Sequence, residues 1–260
     1  MNRTKQSFHP AFYVMIVLYL ILAYSTLGWG ETWAATLYPE DHYFETIGAM
    51  SFFAASAISL FAFMRAMKMS AITRIHRVKL LVYSALAMLF FFGAGEELSW
   101  GQRMLLPPLS PGFAGETIEQ ELKIQNLAIV ENNSFLNADL IYTAFWMVFA
   151  VAIPFVSLVW KRFKLFAETF TPVVYWGIGV LFLLNQLFAW LGTRMYASVY
   201  SYQPILFPQA LQEVKESNYE LLFVFLALLV LRDLHLLVFP TFELPGLNRV
   251  QATDRTIPNW

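Results

Sequence analysis

The chain has 260 residues, of which 58% are hydrophobic and only 13% are charged, and its formal net charge at pH 7 is −1. This composition and a mean hydropathy of +0.54 exclude an ordinary soluble domain and indicate a polytopic membrane protein. The near-neutral charge excludes the basic field that nucleic-acid binding requires. The absence of cysteine excludes disulfides, thiolate metal sites and thiol nucleophiles.

Six apolar segments are long enough to cross a membrane as helices, which takes about 20 residues each. We therefore predict an all-α fold in which a six-helix transmembrane bundle forms a single integral membrane domain over residues 1–260. The first segment could instead be a cleaved signal peptide, but its length and the lack of a small-residue cleavage motif favour a retained helix. In chain order the predicted spans are about 11–29, 46–64, 80–100, 140–160, 172–192 and 219–239.

The basic residues predict the orientation of these spans. Most of the 17 Lys and Arg residues lie in the N-terminus, the second loop, the fourth loop and the C-terminus. Because positive charge is retained on the cytoplasmic side, both termini should be cytoplasmic, as in a protein of the bacterial inner membrane. The two long outer loops, about 99–138 and 193–218, should carry short interfacial helices.

Acidic residues show the opposite bias, since most of the 18 Asp and Glu residues fall on or near the predicted outer side. Either this is a solvated acidic surface, or it is a site for cations, a metal or a basic partner. The first acid at a helix boundary is Glu45, which opens the second span. The helix dipole favours an acid there, so Glu45 could be structural or could contribute to a polar site.

The second span also repeats a small residue at every fourth position, at Ser51, Ala55 and Ser59. This spacing lets neighbouring helices approach closely, so the second span should lie at the centre of the bundle.

The third span ends in the most specific motif of the chain, the polar run 95–103 that follows a long apolar stretch. Carboxylates just inside the membrane boundary are costly unless they are paired, hydrated or protonated, so they indicate a functional site. Glu96 and Glu97 are the candidate catalytic residues if the protein is an enzyme. The candidate ligand-binding residues in the same run are Ser99, Trp100, Gln102 and Arg103.

This run, Gly95-Glu-Glu-Leu-Ser-Trp-Gly-Gln-Arg103, resembles a signature of uncharacterised bacterial multi-pass membrane proteins. In those proteins the second helix also tends to follow an acidic pair and a Glu, which here are Glu40-Asp41 and Glu45. Their next outer loop often carries a Glu-Asn-His-Asn-like stretch, and the corresponding segment 131–137 of this chain lacks the histidine. The family has no established activity, so the resemblance implies no mechanism.

Later spans bring further polar residues to the same predicted depth. Asn185 and Gln186 lie in the fifth span, and Glu220 opens the sixth. They could form hydrogen bonds between helices or bind a ligand. We predict no metal and no cofactor, because the metal-ligand spacings and the facing histidines of a haem site are missing. The aromatic faces, which draw on 25 Phe and 8 Trp, could hold a bound lipid, a quinone or a carotenoid.

Three functions remain open at this point. The first is a non-catalytic subunit or binding component of a membrane assembly, which contacts other membrane proteins and has an acidic outer face. The second is a membrane-embedded enzyme that acts on a lipid or lipid-linked substrate, with Glu96 or Glu97 as general base and with Gln102 and Arg103 holding an anionic headgroup. The third is a proton- or cation-coupled transporter. Membrane lipids are expected partners in each case.

Overall fold

The computed structural model describes residues 8–29, 37, 43–68, 74–98, 138–199 and 206–238. Most of these residues are helical and none is in a strand, which confirms the all-α class for this part of the chain. The helices are α1 (Pro10–Ser25), α2 (Tyr43–Met67), α3 (Arg74–Glu97), α4 (Ala138–Trp146), α5 (Ile153–Val159), α6 (Lys161–Phe170), α7 (Trp176–Val199) and α8 (Leu206–Val238).

Five helical segments are long and apolar enough to cross a membrane. They are Pro10–Gly28, Tyr43–Met67, Arg77–Glu97, Leu140–Val159 and Trp176–Met195. These five candidate spans correspond to the first five predicted ones and are compatible with a multi-pass membrane protein. The sixth predicted span, 219–239, coincides with the second half of α8 and extends past the last described residue, so it stays a prediction, as do the sidedness of the termini and the third outer loop.

The predicted fifth loop, 193–218, is the main difference between the sequence analysis and the structure. Helix α7 continues to Val199 and α8 begins at Leu206, so most of this loop is helical. The segment after Pro208 is rich in Gln, Glu, Leu and Lys, which are good helix formers. Pro208 is tolerated because it lies in the first helical turn, where backbone N–H groups have no partner within the helix. With 33 residues, α8 is about 50 Å long.

The fourth span changes its helical form half-way. A π-helical segment, Met147–Ala152, joins α4 to α5, and the N–H of Ile153 reaches back to the carbonyl of Val148. Pro154 explains the change, because it has no N–H to donate to the carbonyl of Ala150 one turn earlier. Gly179 of α7 packs directly on that carbonyl, where a Cβ atom would overlap the oxygen.

Helix α2 lies at the centre of the bundle, as its small residues predict. Ala55 and Ser59 are fully buried, and the most extensive helix contacts are those of α2 with α3 and with α8. Helix α3 is antiparallel to α2, since Gly93 lies against Phe52 and the Ser56 hydroxyl donates to the carbonyl of Ala87 at 2.9 Å. Helix α8 is parallel to α2, since Gly48 lies against Glu220 and the ring of Phe52 stacks on Phe223 at 5.8 Å.

Candidate functional site

A buried acid, Glu220, marks the end of the bundle at which α2 begins and α3 ends, which we call the acidic end. The side chain of Glu220 is only 4% exposed, and its carboxyl group packs against the backbone of Gly48 in α2. A Cβ atom at position 48 would overlap that carboxyl where it now lies, so any other residue there would displace the carboxyl. The sequence places a glycine where the acid enters the helix interface.

The partner of this acid is Glu97, the last residue of α3. The side chains of Glu97 and Glu220 are joined by a hydrogen bond. Two ionised carboxylates have only acceptor atoms, so a hydrogen bond between them requires that one of the two carries a proton. The pair therefore combines a proton donor and a proton acceptor at one place, in the manner of coupled carboxyl dyads.

Tyr142 of α4 lies near the pair. Its hydroxyl donates to the carbonyl of Leu89 at 2.9 Å and lies within electrostatic range of Glu220, Glu97 and Glu96. Gly93 makes room for it, because a Cβ atom there would lie 2.6 Å from the Tyr142 hydroxyl oxygen. Glycine in the third span thus permits the close approach of α4.

Further carboxyl groups lie near the pair. Glu45, one turn before Gly48, is buried, and Glu96 is half-buried beside Glu97. Half-buried Glu213 and Glu216 precede Glu220 on α8, and their charges act on it.

A layer of aromatic rings closes the pair off from the rest of the bundle. Phe223, one turn after Glu220, is buried, and its ring centroid lies 5.8 Å from that of Phe52, 5.2 Å from Phe90 and 5.3 Å from Phe182. Phe145 adds a fourth ring at 5.7 Å. Because these apolar rings offer few polar partners for water, the layer separates the pair from the opposite end of the bundle.

Asn185, a predicted ligand-binding residue, is part of a second polar cluster. It is fully buried, its Oδ1 accepts a hydrogen bond from the Tyr24 hydroxyl at 2.8 Å, and its Nδ2 donates to the carbonyl of Lys215 at 2.9 Å. The Oε1 of Gln186 accepts a hydrogen bond from the hydroxyl of Tyr219. These contacts join α1, α7 and α8, so the structure supports the interhelical hydrogen-bonding interpretation of both residues.

Two polar residues that the sequence analysis did not select lie between these clusters. Ser217 and Asn218 of α8 are 2% and 0% exposed. Within the described ranges, the Ser217 hydroxyl and both amide atoms of Asn218 lack a hydrogen-bond partner, although Asn218 lies beside the Tyr24 hydroxyl. The polar run Ser-Asn-Tyr-Glu at the start of an apolar helix is the sequence signal that could have found them.

Part of the predicted site is outside the described residues. This applies to the four ligand-binding candidates Ser99, Trp100, Gln102 and Arg103, which therefore remain predictions. Of the other candidates, the structure brings together Glu97 and Glu220, with Glu45 and Glu96 nearby. Across the residues that can be described, no group of three His, Cys, Asp or Glu side chains could hold a metal ion.

Comparisons of this chain with family models, curated proteins and solved structures return no match.

Proposed function

We propose that this protein is a membrane-embedded enzyme that performs acid–base chemistry on a lipid or lipid-linked substrate at one face of the membrane. The observation that carries the proposal is the hydrogen bond between the side chain of half-buried Glu97 and that of buried Glu220. General acid–base catalysis needs one group that donates a proton and one that accepts it, and a carboxyl pair sharing a proton supplies both.

The depth of the pair supports an interfacial substrate. Gly48, which contacts Glu220, lies about 8 Å from the start of α2 and about 28 Å from its end at 1.5 Å per residue. In a hydrocarbon core about 30 Å thick, this is close to one boundary and far from the midplane. A site for a solute that crosses the membrane is expected nearer the midplane. The aromatic layer around Phe223 agrees with access from one side only.

In the proposed chemistry the two acids have different roles. The ionised carboxylate of the pair accepts a proton from the attacking water or hydroxyl group, and the protonated carboxyl donates its proton to the leaving group. After one turnover the two have exchanged protonation states, and proton transfer through the hydrogen bond restores the starting state. Arg103 and Gln102, which follow Glu97 in the sequence, are the residues we propose for holding an anionic headgroup.

The enzyme proposal is tested by lipid analysis. The purified protein is reconstituted into vesicles of total bacterial lipid extract, and the lipids are followed over time by mass spectrometry for the wild type, Glu97→Gln and Glu220→Gln. Glu168→Gln in α6 serves as the matched control, since it makes the same change on a helix at the other end of the bundle. We expect one lipid species to be converted by the wild type and the control but not by either site variant. Unchanged lipids with the wild type, or equal conversion by all four proteins, would contradict the proposal.

A non-catalytic subunit of a membrane assembly remains the alternative prediction for this protein. Its direct test is purification in mild detergent followed by identification of stoichiometric protein partners.

A further inference from the structure

Helix α6 was not predicted, and it lies where the chain turns back between two spans. It connects the span Leu140–Val159 to the span Trp176–Met195, and the extended backbone of Trp160 breaks the helical direction before it starts. The first of these spans ends just before α6 and the second begins just after it. Helix α6 therefore lies near a membrane boundary, at the end of the bundle opposite to the acidic end.

Helix α6 presents large apolar side chains away from the protein. Ala167 is buried against the bundle, whereas Leu165 and Phe166 are 61% and 62% exposed. Trp160, just before the helix, is 58% exposed, and the ring of Phe166 packs on that of Phe170 at 5.0 Å. An exposed aromatic and aliphatic face of this kind requires an apolar environment, which the acyl region of a bilayer provides.

Basic residues border this apolar face. Lys161 and Arg162 are exposed and lie one turn before Leu165 and Phe166, on the same side of the helix. Helix α6 contacts α3, whose first turns contribute the exposed Arg77. Lys161 and Arg162 therefore lie next to the exposed apolar side chains, and a contacting helix carries a further exposed cation, so this surface is complementary to anionic groups at the membrane surface.

We propose that α6 is an interfacial helix that binds anionic phospholipid. Lys161, Arg162 and Arg77 contact the phosphate groups, and Leu165 and Phe166 insert among the acyl chains. This surface is far from the Glu97–Glu220 pair and its role is independent of the proposed enzymatic function. The occupant is an anionic lipid rather than a protein, because the apolar face continues the lipid-exposed surface of the spans, on which Phe155 and Leu158 of α5 are exposed.

The test measures how many phosphatidylglycerol molecules stay bound to the full-length protein, and how tightly. The protein is transferred to nanodiscs of phosphatidylcholine with a rising fraction of phosphatidylglycerol, and the bound lipids are counted by native mass spectrometry after release. The wild type should enrich phosphatidylglycerol over its bulk fraction. At about fivefold in affinity per basic residue, Lys161→Gln/Arg162→Gln should weaken the enrichment about 25-fold.

Two further variants distinguish a specific lipid-binding surface on α6 from a nonspecific effect of positive charge. Arg65→Gln/Lys68→Gln removes two basic residues from the end of α2 without touching α6 and should leave most of the enrichment. Leu165→Ser/Phe166→Ser keeps every charge and should still lower phosphatidylglycerol binding, because the acyl contacts are lost. Equal phosphatidylglycerol binding by the wild type and the Lys161→Gln/Arg162→Gln variant would overturn the proposal. So would an equal loss in the α2 variant, because the effect would then follow charge alone. All these side chains are exposed, and circular dichroism in phosphatidylcholine confirms that each variant is folded.

Discussion

Two buried polar clusters meet on α8 within about one turn of each other, and they are built from different chemistry. Around Asn185, neutral amide and hydroxyl groups satisfy one another across α1, α7 and α8. Around Glu220, two acids can be joined only by sharing a proton. Burial alone therefore does not identify a functional group. A neutral, satisfied cluster stabilises the bundle, whereas an acidic pair adds a proton that can be exchanged.

The largest expected effect is on catalysis at the acidic pair. Glu97→Gln or Glu220→Gln should lower the rate of lipid conversion about 100-fold or more, because general acid–base groups contribute at least that much. Thermal unfolding in detergent should change little, since glutamine keeps the shape and removes a buried ionisable group. A variant that unfolds far below the wild type but retains full specific activity would reverse the roles we assign to the two clusters.

The neutral cluster should show the opposite pattern. Asn185→Leu removes the hydrogen bonds to Tyr24 and to the carbonyl of Lys215 and should lower the free energy of unfolding by about 1–3 kcal/mol, at about 0.6–1.7 kcal/mol for each bond in a membrane protein. The rate of the folded fraction should stay within a few-fold of the wild type. Unfolding in a graded mixture of detergent and denaturant measures the first quantity, and lipid conversion measures the second.

Two glycine-to-alanine variants distinguish a loss of stability from a loss of activity. Gly179→Ala places a methyl group on a backbone carbonyl and should cost about 1–3 kcal/mol of stability, because backbone cannot move aside easily. Gly48→Ala places the methyl group on the movable carboxyl of Glu220, so it should reduce activity more than stability. Thermal melts and rates for both variants test this. Equal stability losses would show that the Glu220 carboxyl is held as firmly as backbone.

The pH profile sharpens the assignment of the pair. A shared proton predicts a bell-shaped profile: activity falls at low pH when both acids are protonated and at high pH when both are ionised. Glu97→Gln and Glu220→Gln should each lose the bell-shaped profile and retain only residual activity across the pH range. Glu96→Gln should retain the bell, since Glu96 lies beside the pair without being one of its two members. A monotonic profile for the wild type would argue against a coupled pair.

The smallest effect is expected at Tyr142. Replacing it with phenylalanine keeps the ring against Phe52, whose centroid lies 5.2 Å away, and removes only the hydrogen bond to Leu89. We expect a loss of about 0.6–1.7 kcal/mol in stability, as for one interhelical hydrogen bond. A loss of activity comparable to that of Glu220→Gln would place the hydroxyl in the chemistry itself.

The sequence was sufficient to predict the helical class and five spans, because hydropathy and length report directly on the bilayer. It also singled out Glu97 and Glu220 separately, since an acid in an apolar segment is conspicuous. It could not pair them, because they lie on α3 and α8, and their meeting depends on the parallel packing of α2 and α8 at Gly48. Glu96 and Glu97 were equivalent in the sequence, and only the helix register separates their roles.

Other features depend on tertiary structure in different ways. From the sequence alone, a polar residue within an apolar span, such as Asn185, could bind a ligand or join two helices. Only its two hydrogen-bond partners show that it joins helices. Helix α6 is too short and too charged to be recognised as a membrane span. The sequence analysis therefore assigned its basic residues to a loop. The extension of α8 to Leu206 was not predicted, because residues 193–218 were assigned to an outer loop; the helix accommodates Pro208 because it lies in the first turn.

The most direct test of the central claim is infrared difference spectroscopy of the reconstituted protein, in which a protonated carboxylic acid has its own carbonyl stretching band. The pair predicts such a band in the wild type near neutral pH. The band should shift in Glu97→Gln and in Glu220→Gln, vanish when both changes are combined, and stay unchanged in Glu96→Gln. A spectrum without a protonated carboxyl, or one whose band is the same in the double variant, would contradict a proton shared by Glu97 and Glu220.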